Sequence, residues 1–301
     1  MRSAWPTEMF RPLTGIHEPS AIQQLPDGRF LVAEDEKEFP FSLVSLHADG
    51  SVGSVPLQLP DDDEVGKLAD LEALTGDAAG NVYAITSHSR NSQGEEKKSR
   101  EKLLRFRVEG DRMVSPVVVK NLKAALVAAH PVLAQAAAIL DVKEDGGLNI
   151  EALEMAPDGR LLIGFRSPLL GGQAIVASLA DVAAAFDGTP RVAPELVTLD
   201  CGGHGLRALS WIPALNGYLL VSGPVAREQV HFRLWFWSGR AGDPPRAASV
   251  AGLPGFAHAE GISPASIGGV PKIMVVSDDG SREEGRPAGY LLLDVTQIGI
   301  D

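Results

Sequence analysis

The chain has 301 residues, with 27 Lys and Arg against 39 Asp and Glu, a formal charge of −12. Hydrophobic residues make up 45% and charged residues 22%, which excludes disorder, collagen and coiled coil for the bulk of the chain. So acidic a surface repels polyanions, so the expected partner is a small molecule, with no nucleic acid and no membrane.

The predicted elements begin with a strand over Glu8–Leu13. A hairpin follows, from Glu18–Ile22 through the turn Pro26, Asp27, Gly28 to Phe30–Ala33. Proline pre-sets one backbone angle of such a turn and glycine accepts a positive one. Phe41–Leu46 and Val52–Leu57 are two further strands. A second unit repeats this order with Asp70–Leu74, Gly80, Val82–Ile85, Leu103–Val108 and Val114–Val119. Asn121–Leu140 is alanine-rich and helical in character, with Pro131 starting a second short helix. A third hairpin joins Asn149–Leu153 to Leu161–Gly164 through Pro157, Asp158 and Gly159. The fourth joins Gly205–Leu209 to Tyr218–Val221, with Gly217 as its turn glycine. The fifth joins His258–Ile262 to Ile273–Val276 through Gly268, and Tyr290–Val295 is its third strand.

Aligned, these units share a column reading Ser20, Glu72, Glu151, Arg207, Glu260, followed by Ala21, Ala73, Ala152, Ala208, Gly261. The column recurs at spacings of 52, 79, 56 and 53 residues, the long interval holding the helical insertion. About 50 residues per four-stranded unit is a propeller-blade period. The fold class is therefore all-β, a single β-propeller over residues 1–301, with five blades in preference to six. The last unit lacks an outer strand, and residues 8–13 are expected to supply it and close the ring. Small residues beside the column are expected where the innermost strands converge on the axis.

A hairpin sets the start of its first strand beside the end of its second. The column must therefore share one mouth of the ring with Asp35, Glu36, Ser87, His88, Arg166, Ser167, Asp278 and Asp279. Glu72, Glu151 and Glu260, with Asp70 and Asn149 in support, form an oxygen-rich set suited to a hard divalent cation, Ca²⁺ ahead of Mg²⁺ or Mn²⁺. An internal ion-pair network around Arg207 is the alternative way to offset three converging carboxylates. Arg166, with Arg90, is placed to hold an anionic group. His88 is the candidate proton carrier, Asp278 a further catalytic candidate, and Arg207, Ser89 and Asp279 candidate substrate contacts. Asp61–Glu64 reads as a solvated connection, and Glu95–Lys102 as a mobile loop near the mouth.

With one cysteine, Cys201, no internal disulfide forms, which fits a reducing compartment. No apolar run approaches the roughly 20 residues of a membrane span. Met1–Pro12 lacks the apolar core of a secretory signal. The expected location is cytoplasmic.

The motifs Asp70–Glu72, Thr86–Arg90, Asn149–Glu151, Gly164–Pro168, Phe232–Trp237, Ala259–Gly261 and Ser277–Gly280 together resemble an uncharacterised family of β-propellers of unknown function. The stretch Glu260–Ile262 is more loosely similar to the repeat of phytase-like esterase propellers. Gluconolactonase-type propellers and calcium-dependent nucleotidases look alike in placing acidic ligands at one mouth. The resemblance implies a propeller and brings no activity of its own. The leading expectation is a divalent-metal-assisted hydrolase of a small anionic ester, a phosphate ester or a lactone. The alternatives are a non-catalytic propeller that binds a ligand or protein, and a lyase or isomerase using the same site.

Overall fold

The computed structural model describes residues 10–35, 39–47, 49–60, 65–140, 146–225, 232–253, 255–256 and 258–301. The first strand is short, β1 (Arg11–Leu13), and Glu8 and Met9 of the expected strand lie outside the described residues. The first blade is β2 (Pro19–Gln24), β3 (Phe30–Glu34), β4 (Phe41–Leu46) and β5 (Val52–Pro56). The second is β6 (Leu71–Gly76), β7 (Val82–Thr86), β8 (Leu103–Glu109) and β9 (Arg112–Val119). Two helices follow, α1 (Leu122–Ala129) and α2 (Pro131–Ala137), the second opened by Pro131. The third blade is β10 (Asn149–Met155), β11 (Leu161–Ser167), β12 (Ala174–Leu179) and, after the short helix α3 (Val182–Phe186), β13 (Val197–Leu199). The fourth contains β14 (Gly205–Ile212), β15 (Gly217–Gly223), β16 (Arg233–Trp237) and β17 (Arg246–Val250). The fifth contains β18 (Ala259–Ile267), β19 (Val270–Ser277) and β20 (Ala288–Asp294), and the chain ends in β21 (Ile298–Ile300).

These strands make five antiparallel sheets, so the propeller has five blades. β1 lies beside β20 as the outer strand of the last blade, with Arg11 opposite Tyr290 and Leu13 opposite Ala288. The chain's two ends thus meet in one ring, which leaves no open seam between first and last blades. β21 was not foreseen: it adds a fifth strand to the outside of the fourth blade, with Ala248 opposite Ile300.

The core is five wedges, one in each gap between neighbouring blades. Leu31, Phe41, Leu74 and Phe106 fill the gap between blades one and two. Ile85, Leu103, Ile163 and Phe165 fill the next, roofed by Leu122, Leu126 and Leu133 of the helical insertion. Leu162, Leu220 and Trp237 lie between blades three and four, and Val221, Leu234 and Ile273 between four and five. Leu13, Ile16, Phe30, Val32 and Met274 seal the gap between five and one.

The column of small residues sits in these gaps. Ala21, Ala73, Ala152 and Ala208 each pack in the wedge shared with the following blade. A Cβ on Gly261 would meet the Val276 side chain of its own blade at 2.7 Å and the Ile22 backbone nitrogen of the next at 3.0 Å, so both constrain it. The expectation of crowding was right in kind, but the crowding is between blades, where the wedge narrows.

Three residues beyond the axial column stands a polar column, Gln23, Thr75, Glu154, Ser210 and Ser263. Three of its members, Thr75, Glu154 and Ser263, tie one blade to the next. The Met155 N–H donates to Thr75 Oγ1 at 3.0 Å, and the Gln24 N–H to Ser263 Oγ at 3.0 Å. The Trp211 backbone N–H donates to the buried Glu154 carboxyl. The equivalent partner of Ser210 is Pro264, which has no N–H to give. These bonds satisfy backbone groups that the innermost strands expose on their inner edge.

The turn glycines Gly28, Gly80, Gly159 and Gly268 all have positive φ, as the hairpins require. In the fourth blade the left-handed position is Asn216 (φ 47°), and the expected turn glycine Gly217 instead opens β15. Asparagine tolerates this conformation better than other residues with a Cβ.

Candidate functional site

In every innermost strand the antiparallel register breaks at the axial column. The breaks fall between Pro19 and Ala21, Leu71 and Ala73, Ile150 and Ala152, Leu206 and Ala208, and Ala259 and Gly261. Ser20, Glu72, Glu151, Arg207 and Glu260 are the unpaired bulge residues. A bulge turns one side chain out of the alternation of its strand. Here it re-aims one residue per blade into a shared cavity of about 1310 Å³ lined by all five.

The deep wall of this cavity is a network of ion pairs. Glu151 is almost fully buried and accepts from Asn149 Nδ2 at 2.9 Å and Arg166 Nη1 at 3.1 Å. Arg207 Nη1 bridges Glu151 Oε2 at 3.1 Å and Glu260 Oε1 at 3.3 Å, while its guanidinium stacks 4.8 Å from the Phe232 ring centroid. Arg166 also donates to the Val225 carbonyl at 3.1 Å. The expected ion-pair network around Arg207 is therefore present, and both oxygens of Glu151 are occupied by it. Among the described residues, no set of three or more His, Cys, Asp or Glu side chains is arranged to hold a metal ion.

Close packing of the third and fourth blades sets this wall. A Cβ on Gly205 would lie 1.8 Å from the Arg166 carbonyl oxygen. Gly205→Ala is expected to push β14 off β11 and lower stability by about 2–3 kcal/mol, read as a lower urea midpoint. An unchanged midpoint would show that the two blades do not pack this tightly.

Glu72 differs from Glu151. It faces the cavity deep in the mouth and holds its proton well above the usual carboxylate range, first through burial, then through repulsion by Asp70, Glu151 and Glu260. Among the described residues it makes no ion pair. Glu260 is pushed up to about 8, first by burial and then by Glu151, with Arg207 acting against the rise. Asp278 is pushed to about 6 by burial, then by Glu18, Asp279 and Asp35. Asp35 also rises to about 6, by burial and then by Asp70.

The second blade supplies a further wall. Asp70 (φ 62°) pairs with Arg100, which also donates to Ser89 Oγ at 2.7 Å. Asn91–Gly94, Lys97 and Leu140 extend this side of the cavity. Arg90 is engaged in holding that loop: it donates to the carbonyls of Ala137 at 3.2 Å and Gly94 at 3.0 Å and pairs with Glu96 at 3.2 Å. The segment expected to be a mobile loop is thus tied down to the helical insertion, which also sends Lys123 to Glu96 and Glu101.

His88 is placed differently from the expected proton carrier. Its left-handed φ of 55° turns the chain at the end of β7, so Ser89 and Arg90 line the cavity and the imidazole does not. The ring is 1% exposed and donates through Nδ1 to the Thr86 carbonyl at 2.8 Å, the one role compatible with a carbonyl partner. Burial pushes it down to about 4, so it is neutral at physiological pH. Asp279 lies outside the cavity lining and accepts from Ser277 Oγ at 2.7 Å and the Gly289 N–H at 3.0 Å. The remaining expected residues, Glu72, Glu151, Glu260, Asp70, Asn149, Arg166, Arg207, Ser89, Arg90 and Asp278, do come together around the cavity. Glu36 and Asp61–Glu64 lie outside the described residues. Asp35, placed at the mouth by the sequence, lines the cavity, whereas the sequence reading missed Arg100: it meets Asp70 thirty residues away, a pairing with no local signature.

No family model matches the chain, and no curated protein matches it. Among solved structures it is similar to a GH43 β-1,3-galactosidase bound to galactodeoxynojirimycin, at 12% identity and a TM-score of 0.53, over 99% of this chain and 98% of that one. It is also similar to the PQQ-bound aldose sugar dehydrogenase of Streptomyces coelicolor, at 16% identity and a TM-score of 0.44, over 96% and 100%. A gluconolactonase of Xanthomonas campestris matches at 14% identity and a TM-score of 0.43, over 99% and 88%. The first of these likenesses, at 12% identity, bears on the fold alone and leaves the chemistry to be argued from the site.

Proposed function

We propose that the protein is a hydrolase of a small ester or lactone, with Glu72 as proton donor and Asp278 as base. The observation that carries this reading is Glu72: a carboxyl at the axial bulge that lines a water-accessible cavity, makes no ion pair among the described residues and is pushed toward its protonated form. Two carboxyls whose surroundings separate their pKa values divide acid and base roles between them. Asp278, at about 6, is mostly ionised at neutral pH, while burial and three neighbouring acids push Glu72 well above the usual carboxylate range. In the step proposed, Asp278 takes a proton from water as its oxygen attacks the acyl carbon. The carbon–oxygen bond to the leaving group breaks as Glu72 gives that oxygen its proton. Arg207, Arg166 and Glu151 keep the wall rigid. The scheme routes no step through Ca²⁺, Mg²⁺ or Mn²⁺, although a cation near Glu72 and Glu260 would compete for the same carboxyls.

The test is a turnover screen on carboxyl esters, sugar lactones and phosphate esters, with and without Ca²⁺, Mg²⁺ or Mn²⁺. Turnover of an ester or lactone is expected without added metal, rising with pH through about 6 as Asp278 ionises. Glu72→Gln should lower kcat about 100-fold, and Asp278→Asn should remove the rise near 6. Absence of turnover on every class, or full activity in Glu72→Gln, would overturn the reading.

A further inference from the structure

Residues 87–101 contain no hydrophobic side chain, yet residues 89–94, Lys97, Ser99 and Arg100 form one side of the cavity. Burial of apolar surface, the main force that seats a segment on a protein, is not available to this one. Its two ends are fixed by hydrogen bonds. Arg90 donates to the Ala137 carbonyl at 3.2 Å, and Arg100 donates to the Ser89 carbonyl at 3.2 Å and pairs with Asp70. Between them Asn91 builds a closed turn. Its Oδ1 accepts from the Gln93 and Glu95 N–H groups at 3.0 Å and 2.9 Å, and its own N–H donates to the Glu95 carbonyl at 2.9 Å. A turn bonded to itself in this way holds its shape whether or not it touches its neighbours.

What seats the turn on the helical insertion is mostly charge. Glu96 Oε1 meets Lys123 Nζ of α1 at 2.9 Å and Arg90 Nη2 at 3.2 Å. The Glu96 side chain is 52% exposed, so both pairs are open to water and to screening by salt. Two neutral contacts add to them. A Cβ on Gly94 would lie 3.3 Å from the Leu140 Cβ, and the Ser99 carbonyl accepts from the Ala69 N–H at 3.0 Å. Release of Glu96 strands neither cation. Lys123 keeps Glu101 at 2.6 Å, and Arg90 keeps the Ala137 carbonyl. The cost of leaving a half-buried charge unpaired, which locks many ion pairs in place, is absent here.

We propose that residues 91–99 are a gate on the cavity, held shut against the helical insertion by Glu96 and released when salt screens that hold. Opening swings the closed turn about Arg90 and Arg100 and removes one side of the cavity wall. The gate governs access whatever reacts in the cavity, so it does not rest on the hydrolase reading.

Limited trypsin digestion of the whole protein tests this, because Lys97 and Lys98 lie in the segment. A protease cuts extended chain, and where opening is fast the rate of cutting follows the open fraction. Glu96→Gln should raise cleavage after Lys97 and Lys98 about tenfold at low salt, the product of two exposed pairs at about threefold each. The parent should approach that rate in 1 M NaCl, corrected with a small peptide substrate for trypsin's own response to salt, while the variant changes little. The variant should keep the parent's thermal midpoint. Access is read separately with Ser20→Cys, whose thiol replaces a hydroxyl lining the cavity at a residue 6% exposed. The native Cys201 is fully enclosed and stays silent. Pyrenyl maleimide, bulky and uncharged, should label the new thiol about tenfold faster when Glu96→Gln is added. Equal cleavage of parent and variant, a parent indifferent to salt, or faster cleavage without faster labelling would overturn the inference. A lower midpoint with cleavage throughout the chain would also overturn it, by making Glu96 a support of the whole fold. Neither readout uses turnover, so an inactive protein leaves the gate standing, and a failed gate leaves the hydrolase reading untouched.

Discussion

Arg207→Met is expected to destabilise the protein by about 3–5 kcal/mol, seen as a thermal midpoint about 10 °C lower. Arg207 is the cation between Glu151 and Glu260, at 3.1 Å and 3.3 Å, in a wall where both acids are largely or wholly enclosed. A methionine keeps the length of the side chain and its packing on Phe232 but removes the charge. Glu151 then keeps Arg166 and Asn149, while Glu260 loses the cation that opposes its rise in pKa. Breaking a buried pair from one side leaves the Glu151 carboxylate with one cation in place of two and drives Glu260, already near 8, further toward its neutral form, and that lost compensation is the cost. Arg207→Lys should fall between the two, since one ammonium does not reproduce a planar group that reaches two carboxylates and stacks on a ring. Adding Glu260→Gln to Arg207→Met should recover part of the loss, because one of the stranded acids is gone. A methionine variant as stable as the parent would mean that the axial acids need no cation, and the wall would have to be re-argued as neutral.

The ring itself was legible because each blade repeats one local solution: a bulge residue, a small residue, an apolar residue, then a turn glycine. The bulge explains why the axial column could be read at all. A residue that must leave its strand's alternation recurs at a fixed place in every unit, whatever its identity. The helical insertion was legible for the same local reason, since Pro131 starts a helix without needing tertiary support. What stayed hidden depends on long-range partners. Spacing brought Arg166 to the mouth as well as Arg207, but nothing along the chain says that the Arg166 guanidinium joins the Arg207 network by turning into the wall toward Glu151. His88 was misplaced because a single left-handed residue at a strand end reverses which of its neighbours face the cavity. β21 was invisible as three residues whose pairing partner, β17, lies some fifty positions upstream.

Stability should fall as pH rises from about 4.5 toward 8, and Glu154→Gln should flatten that fall. Glu154 sits in the polar column between blades two, three and four, accepting from Thr75 Oγ1 at 3.1 Å and from the Trp211 N–H. Burial pushes its carboxyl up from 4.5 to about 8, against the two hydrogen bonds that favour the charged form. The folded protein therefore keeps a proton that the unfolded chain releases near 4.5. Throughout that window the folded state binds more protons, so the linkage slope is negative and the stability conferred by the neutral acid is lost as pH approaches 8. The full span is on the order of 4 kcal/mol. Glu260 and Glu72 are shifted in the same direction and add to the fall, while His88, lowered from 6.5 to about 4, opposes it up to about 6.5, so the parent's fall is steepest above that pH. The difference between parent and Glu154→Gln isolates the single group. Glutamine offers the same carbonyl to Thr75 and Trp211 without a charge to bury, so the variant should match the parent at pH 5 and exceed it by several degrees at pH 8.5. Urea or thermal melts across that range read the result directly. Parallel curves would show that Glu154 is ionised in the folded ring, and that the polar column there holds its carboxylate by means other than a shared proton.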